Sequence, residues 1–585
     1  MEEVDLFLKG GRIIDVLYGK ILPPTDVAID GRKIAGIGGS YKAKKEINIK
    51  GKFLAPGFVD SHIHLESSMI TPTYFIKTVL PYGTTGIVHD PHEIANIGGL
   101  AGIIGIMAET ESLPCNVYAT IPSCVPATPE EMGLETSGSY IGVKETEILM
   151  KDRRVIGLGE MMNIPGVLNR EENIMKKIEI AKKNRKIICG HATGLKGDDL
   201  KRYFAAGIES DHEVTSYEEA MERLELGIWV EVREGSACHD LEPIISGLVK
   251  RGENTDKLLF CNDDINVHDL MYRGHIDHHI RKSIKLGIDP TEAFRIASYN
   301  TYRRLKKEKW LGAIKKGYAA NLVVISAPGD SPENLDRFKV EKTIYNGQIV
   351  FNEDKLLVEF PKRKYDFEIL NSVKLAKKYE PKDFTIDLGP KYAGKEVPVR
   401  VIEIQSGTIE TKERIEKMYT EDGTLNSIPE RDILKAFVIG RHDGLRVSKG
   451  NVGYGFVKGI GIKQGAIGTS VLHDCHNLGV VGTNNLDMSI AVNRLYEIGG
   501  GMNLVENGRL TREIPLRYYG LMSIKDPEEV YKEQEKMNQR LHYLGSELKE
   551  SLATLSFVSL PVIPELKLTD KGLVKNYKIA PLVVE

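Results

Sequence analysis

Eight short apolar runs, spaced roughly 20 to 35 residues apart, dominate the first half of this 585-residue chain and leave it few architectures to choose from. In order they are FVDSHIH (58–64), TTGIVHD (84–90), NVYATIP (116–122), VIGLGEM (155–161), KIICGHA (186–192), GIESDHE (207–213), GIWVEVRE (227–234) and KLLFCND (257–263). Their length and apolar character suit buried strands, and helical segments such as SYEEAMERLELG and PTEAFRIASYNTYRRL fall between or after them. Strands alternating with helices form a parallel sheet of βα units. Eight such units predict a (β/α)₈ barrel of the TIM type, in which all strand C-termini face one mouth where active sites sit. Most of the runs end on His, Asp, Glu or Arg, so residues far apart in sequence converge at that mouth.

A chain of this length exceeds one hydrophobic core, and further domains are expected. Residues 1–55 read as short strands joined by Gly-centred turns, in DLFLKGGRIID, DVAIDGRKIAGIG and KEINIKGKFLAPG. The same texture returns in LGAIKKGYAANLVVIS (311–326) and VEKTIYNGQIVF (340–351). Segments 1–55 and 310–355 are therefore expected to pair into a small composite β-sandwich beside a barrel spanning 56–309. From 365 to 585 the chain changes again, with β-like runs such as VPVRVIEIQ, a Gly-rich stretch and the helical DPEEVYKEQEKMNQRLHYLGSEL. That segment reads as a separate β-rich α+β domain.

Lys and Arg total 79 against 82 Asp and Glu, a net charge of −3 that offers no broad surface for nucleic acid or membrane. The N-terminus lacks the basic start and apolar stretch of a signal peptide, and no run of about 18 apolar residues occurs. A cytoplasmic protein with a small-molecule partner is expected. The six cysteines, Cys115, Cys124, Cys189, Cys238, Cys261 and Cys475, form no CxxC pair, which argues against a disulfide framework or a thiolate zinc site.

His62 and His64 stand two apart, a spacing that puts both on one side of a strand. An HxH pair alone is weak, but ligand types recur at other strand ends: Glu160 on the fourth, His191 on the fifth, His212 on the sixth and Asp263 on the eighth. Four imidazoles, a bridging carboxylate and a terminal Asp suit two divalent ions, and favour Zn, Fe or Mn over metals of soft ligands. A zinc deaminase of the H-x-E and P-C-x-x-C type is rejected, because His64-Leu65-Glu66 supplies the first half and nothing supplies the second.

Other residues near the mouth admit two readings each. Asp90, His92 and Glu93 in HDPHE either contact substrate and shuttle protons or form a supporting loop turned by Pro91. Glu66 is placed to orient ligands, and Ser67 to cap the next helix. Arg233, Glu234 and Ser236 end the seventh strand, where they could serve the ring nitrogens of a heterocycle; a buried Arg233–Glu234 ion pair is the alternative. His275, His278 and His279 read as a solvated helix surface. In VLHDCHN, His473, Asp474 and His476 fit either another metal or a contact that closes the mouth, and stay unassigned.

These motifs carry a resemblance. APGFVDSHIHLESS, followed by Glu160, His191, His212 and Asp263, resembles the amidohydrolase superfamily. Within it, HIHLESSM (62–69), GTTGIVHDPHEIANI (83–97), GEMMN (159–163), GHATG (190–194), SDHE (210–213), REGS (233–236), CNDD (261–264) and GVVGTNNLDMSIAVN (479–493) resemble the adenine deaminase family. The likeness implies a metal-dependent aminohydrolase acting on the C–N bond of a cyclic amidine, converting adenine and water to hypoxanthine and ammonia in purine salvage or adenine catabolism. It implies two divalent ions, Mn²⁺ or Fe²⁺ ahead of Zn²⁺, on His62, His64, Glu160, His191, His212 and Asp263. Glu160 stands where many superfamily members carry a carboxylated lysine, which argues against the dihydroorotase and hydantoinase branches. Two metals would bring a bridging water to hydroxide near neutral pH for attack on C6, with Asp263 as general base and then acid. Glu160 and His212 complete the expected catalytic set. A homodimer or higher homo-oligomer is expected. The rivals are another amidohydrolase acting on a cyclic amide or amidine, and a barrel that has lost catalysis and serves as a subunit.

Overall fold

All eight runs are strands: Phe58–Ile63, Thr84–His89, Asn116–Ile121, Val155–Met161, Ile187–Gly190, Ser210–Asp211, Trp229–Arg233 and Leu258–Cys261. The structure is a computed structural model and describes residues 3–405, 408–442, 450–548 and 551–584. Neighbouring strands pair in parallel. Between the fifth and sixth, Glu209 N donates to the Ile188 carbonyl at 2.9 Å. The ring closes where the eighth strand meets the first: Asp263 N donates to the His62 carbonyl at 3.0 Å and His64 N to the Asp263 carbonyl at 2.9 Å. This is the (β/α)₈ barrel that the run spacing predicts. Its first, second and fourth strands are buried at every position, which is why they read as continuous apolar runs rather than alternating ones.

Local sequence starts and stops the outer helices. Tyr217–Glu225 begins at Ser216, whose side chain accepts from Glu219 N, and buries Ala220 and Arg223. After the eighth strand come Val267–Arg273 and Ile276–Lys285, ahead of the helix at Pro290. The second of these corrects the solvated-surface reading of its histidines. His275 and His279 are fully buried. His275 lies 3.0 Å from Asp60 and 2.7 Å from Thr84 Oγ1, while His279 Nε2 is 2.9 Å from the Cys261 carbonyl. Residues four apart share a helix face, and this face packs on the barrel; His278 alone is partly exposed.

Strands from 3–56 and 322–356 join one nine-stranded sheet, with Phe53–Pro56 antiparallel to Leu322–Ser326 at the junction. The long strand Glu3–Asp15 bends at Gly10, whose φ of +75° favours glycine. Residues before the bend pair with Lys42–Asn48, and residues after it with Phe53–Pro56.

The C-terminal region is built on an eight-stranded sheet with helix Asn485–Glu497 packed on it. It is docked rather than tethered. Ile63, Leu65, Ile70 and Phe75 of the barrel share one apolar cluster with Val438, Leu504, Leu516 and Leu541. Each such side chain contributes roughly 1.5–3 kcal/mol by leaving water. Polar links flank the cluster: Ser523 N donates to the Met69 carbonyl at 2.7 Å, and Asn477 Nδ2 to the Thr136 carbonyl at 2.9 Å. Among the described residues, no helix is long and apolar enough to cross a membrane.

Candidate metal centre and substrate cavity

The six strand-end residues meet in one buried cluster around Glu160. Its Oε1 lies 3.3 Å from His64 Nε2 and 4.0 Å from His62 Nε2, and its Oε2 lies 2.7 Å from His191 Nδ1 and 3.1 Å from His212 Nε2. Asp263 Oδ1 completes the first side, 3.3 Å from His62 and 3.1 Å from His64. Burial would raise both carboxyl pKa values, but His212 and the other imidazoles outweigh it and hold Glu160 and Asp263 well below the usual carboxylate range.

The donor chemistry, imidazole nitrogens with carboxylate oxygens, fits hard-to-borderline divalent cations. His64 Nδ1 donates to the Asp90 carbonyl at 2.9 Å, leaving the Nε2 lone pair to face the cluster. Among the described residues, His62, His212 and Asp263 form one group able to hold a cation, Glu160, His191 and His212 another that shares His212, and His64, Asp90, His92 and Glu160 a third.

A shell of backbone and side-chain contacts fixes these groups. Asp263 adopts φ +60°, a conformation costly for a residue with a side chain and retained here where it aims a carboxylate. Asp90 Oδ2 accepts from Glu160 N at 3.1 Å and Thr120 Oγ1 at 2.8 Å. A Cβ on residue 159 would sit 1.9 Å from that same oxygen, so the close approach requires Gly159. Asp211 accepts from Ala192 N and Glu213 N at 3.0 and 3.1 Å and pairs with Arg223, tying the fifth strand end to the sixth. Asp60 accepts from His62 N and from Asn262 Nδ2.

Several residues near the mouth do something other than expected. Ser67 caps no helix; its hydroxyl contacts Glu93 at 2.8 Å and, more tightly, Asp264. Arg233 and Glu234 do not pair with each other. The Arg233 guanidinium engages Glu213, Asp240 at 2.8 Å and Asp263 at 3.2 Å, bracing the cluster. Glu234, offered as a substrate contact, instead meets His239, His278 and Lys282, because side chains alternate along a strand and its neighbour Arg233 takes the inner side. Ser236 donates to Asp269 at 2.6 Å. Glu66 accepts from Ile94 N at 3.0 Å. Burial and the neighbouring Glu93 raise its pKa to about 8.

His92 is the unexpected member of the cluster, with Nδ1 3.0 Å from Glu160 and 3.4 Å from Asp90. Its Nε2 lies 3.6 Å from Asp474, a carboxylate from the C-terminal domain. His473 Nδ1 and His476 Nε2, from the same turn, each lie 3.7 Å from Glu93. The unassigned triplet is thus part of the site. Beside it runs a narrow cavity lined by Ser67, Ser236, Asp264 and Asn266 from the barrel and by His473 and Phe557 from the other domain. Asp264 and Glu213 lie inside the CNDD and SDHE motifs, yet no periodicity marks which way such a neighbour points, and sequence reasoning passed over them.

The amidohydrolase family model matches residues 53–350, and the adenine deaminase C-terminal domain model matches residues 408–579. The chain is 40% identical over 591 residues to an adenine deaminase of Staphylothermus marinus, covering 99% of this chain and 95% of that one. It is 40% identical to an adenine deaminase of Thermosipho africanus, covering 99% and 97%, and 39% identical to one of Methanothrix thermoacetophila, covering 100% and 98%.

Proposed function

The chain belongs to the adenine deaminase family within the amidohydrolases, and on that premise we propose that it hydrolyses adenine to hypoxanthine and ammonia using His62, His64, Glu160, His191, His212 and Asp263 as ligands of two divalent ions. It is a metal-dependent hydrolase acting on a C–N bond. What most supports the ligand set is Glu160, whose two carboxylate oxygens face different histidines, Oε1 toward His64, His62 and the non-ligand His92, and Oε2 toward His191 and His212. Imidazole and carboxylate donors suit Zn²⁺, Fe²⁺ or Mn²⁺, and the family resemblance puts Mn²⁺ or Fe²⁺ ahead of Zn²⁺. When bound, the ions supply Lewis-acid activation of water near neutral pH.

The chain's own residues supply proton handling and orientation. Asp263 Oδ1 stands at the centre while Oδ2 is held by Arg233 Nη1 at 3.2 Å. So oriented, the carboxylate would take a water proton and return it to the leaving amine. Overall, water oxygen replaces the exocyclic amine at C6; one water proton departs with ammonia and the other stays on the ring. Glu160 and His212 hold the electrostatic frame. Asp90, Glu66 and Arg233 act by bracing, and Glu93, His92 and Ser236 bound the space a purine would enter. The domain limits suggested by the sequence, 1–55 with 310–355, 56–309 and 365–585, are retained as working boundaries, as are a cytoplasmic setting, a role in purine salvage and a homodimer or larger assembly.

Purified protein loaded with Mn²⁺ or Fe²⁺ is expected to convert adenine, followed by the ultraviolet change and ammonia release. Turnover of hydantoin or dihydroorotate in its place would assign the other amidohydrolase chemistry. Neither bound metal nor turnover would assign a non-catalytic subunit. Light scattering reads the assembly.

A further inference from the structure

We propose that His473, carried by the C-terminal domain, contacts the purine and donates a hydrogen bond from Nε2 to one of its ring nitrogens. The proposal rests on the adenine reading above and names the side chain that recognises the base.

Two walls bound the cavity, and His473 is the imidazole on the C-terminal one. Its orientation is fixed from three directions. One ring face lies flat on Phe557, with centroids 4.2 Å apart and planes 8° from parallel. Its backbone N donates to the Ser556 carbonyl at 2.8 Å, and its carbonyl accepts from Ser559 Oγ at 2.6 Å. Nδ1 is turned toward Asp474 at 3.6 Å and Glu93 at 3.7 Å. Nε2 is the ring's remaining polar atom, and His473 lines the cavity.

Chemistry agrees with geometry. Burial lowers the basicity of His473, but Glu93, Asp474 and Asp264 more than compensate and raise its pKa to about 8. Near neutral pH the ring is a donor, whereas the bare nitrogens of a purine ring are acceptors. Asp264 lines the same cavity and offers acceptor oxygens. A planar heterocycle would therefore meet a donor and an acceptor on facing walls, the few directed polar groups that a ligand site of this kind needs.

The same residues invite a second explanation, a further cation held by Glu93, His473 and His476, whose donor atoms lie close together and buried. The tautomer of His476 argues against it. His476 Nδ1 accepts the Leu472 N–H at 3.2 Å, so its Nε2 keeps a hydrogen and has no lone pair for a metal. His476 Nε2 lies 3.7 Å from Glu93, whose carboxylate also faces His473.

The test compares adenine with 1-, 3- and 7-deazaadenine as inhibitors or substrates of the metal-loaded, full-length enzyme. Wild type is expected to lose about 10–100-fold in affinity for the one analogue whose missing nitrogen meets His473, as for a hydrogen bond to a charged group. His473→Leu should erase that discrimination while metal per chain stays unchanged. His473→Gln, which keeps an N–H, should restore part of it. If the leucine variant fails to fold, His473→Asn, too short to reach, replaces it. Equal weakening toward every analogue, unchanged discrimination, or loss of metal in the variant would overturn the assignment. Wild type that neither binds nor deaminates adenine would bring down the functional reading and this proposal together. Active wild type with an unaltered pattern in the variant would bring down this proposal alone.

Discussion

The two walls of the active site are made in different ways. On the barrel wall, six side chains sit at the ends of parallel strands, and the four histidines among them lie 2.7 to 4.0 Å from Glu160. Strand register brings them together, since each follows an apolar run of a closed ring, and the surrounding contacts hold them. The facing wall is one turn of the C-terminal domain, which reaches the barrel through looser contacts of 3.6 Å to His92 and 3.7 Å to Glu93. Its position depends on domain docking. The difference separates two jobs: sheet register decides whether the chemistry is available, and docking decides how the cavity fits its occupant.

Substitutions on the barrel wall should therefore be the more damaging. Glu160→Ala removes the carboxylate proposed to serve both ions; metal measured by mass spectrometry should fall from the proposed two per chain toward none, and deamination to background. Asp263→Asn should lower kcat by about 10²–10⁴-fold, the usual range for a lost general acid–base, with little change in melting temperature. Asp474→Asn crosses from one wall to the other. It loosens His92 rather than a proposed ligand, so metal affinity or turnover should drop about 10–100-fold. An effect as large as that of Glu160→Ala would dissolve the distinction between the walls.

A pH experiment sharpens the same contrast. Buried Lys567 holds the C-terminal wall by donating to the Ile409 and Phe557 carbonyls at 2.8 and 3.0 Å. Burial lowers its pKa from 10.5 to about 7. Above pH 7 the unfolded chain binds the extra proton and the folded one does not, so stability from this group rises with pH, by at most about 1.4 kcal/mol per unit, until pH passes 10.5. Below pH 7 both states are protonated and the cost is fully present. Urea midpoints at pH 7 and 9 should therefore separate more for wild type than for Lys567→Met. The smallest effect belongs to the rim: Lys77 and Asp526 pair at 2.9 Å but remain 34% and 40% exposed, and Lys77→Met should cost under about 1 kcal/mol with activity unchanged.

Strand existence was legible because fully buried strands leave uninterrupted apolar runs, and the ligand candidates were legible because each closes such a run. The direction of neighbouring polar groups was not. Arg233 and Glu234 are adjacent in sequence, yet one braces Asp263 and the other meets Lys282. His275 and His279 looked like a polar helix face because their buried partners, Asp60 and the Cys261 carbonyl, lie on distant strands. The role of the 473–476 turn was hidden for a related reason. Its partners, His92 and Glu93, are about 380 positions away, and no local periodicity encodes that meeting.

The apolar cluster that runs from Ile63 to Leu541 also orders events in time. A chain emerging from the ribosome at about 5–20 residues per second completes the barrel strands roughly ten seconds or more before the turn at 473–476 appears. During that interval the barrel has its proposed metal ligands but neither its second wall nor the cover for Ile63, Leu65 and Phe75. A newborn chain is thus briefly sticky and unselective, and both conditions end in one docking event. Synthesis of the last domain is, in effect, the maturation step of the enzyme.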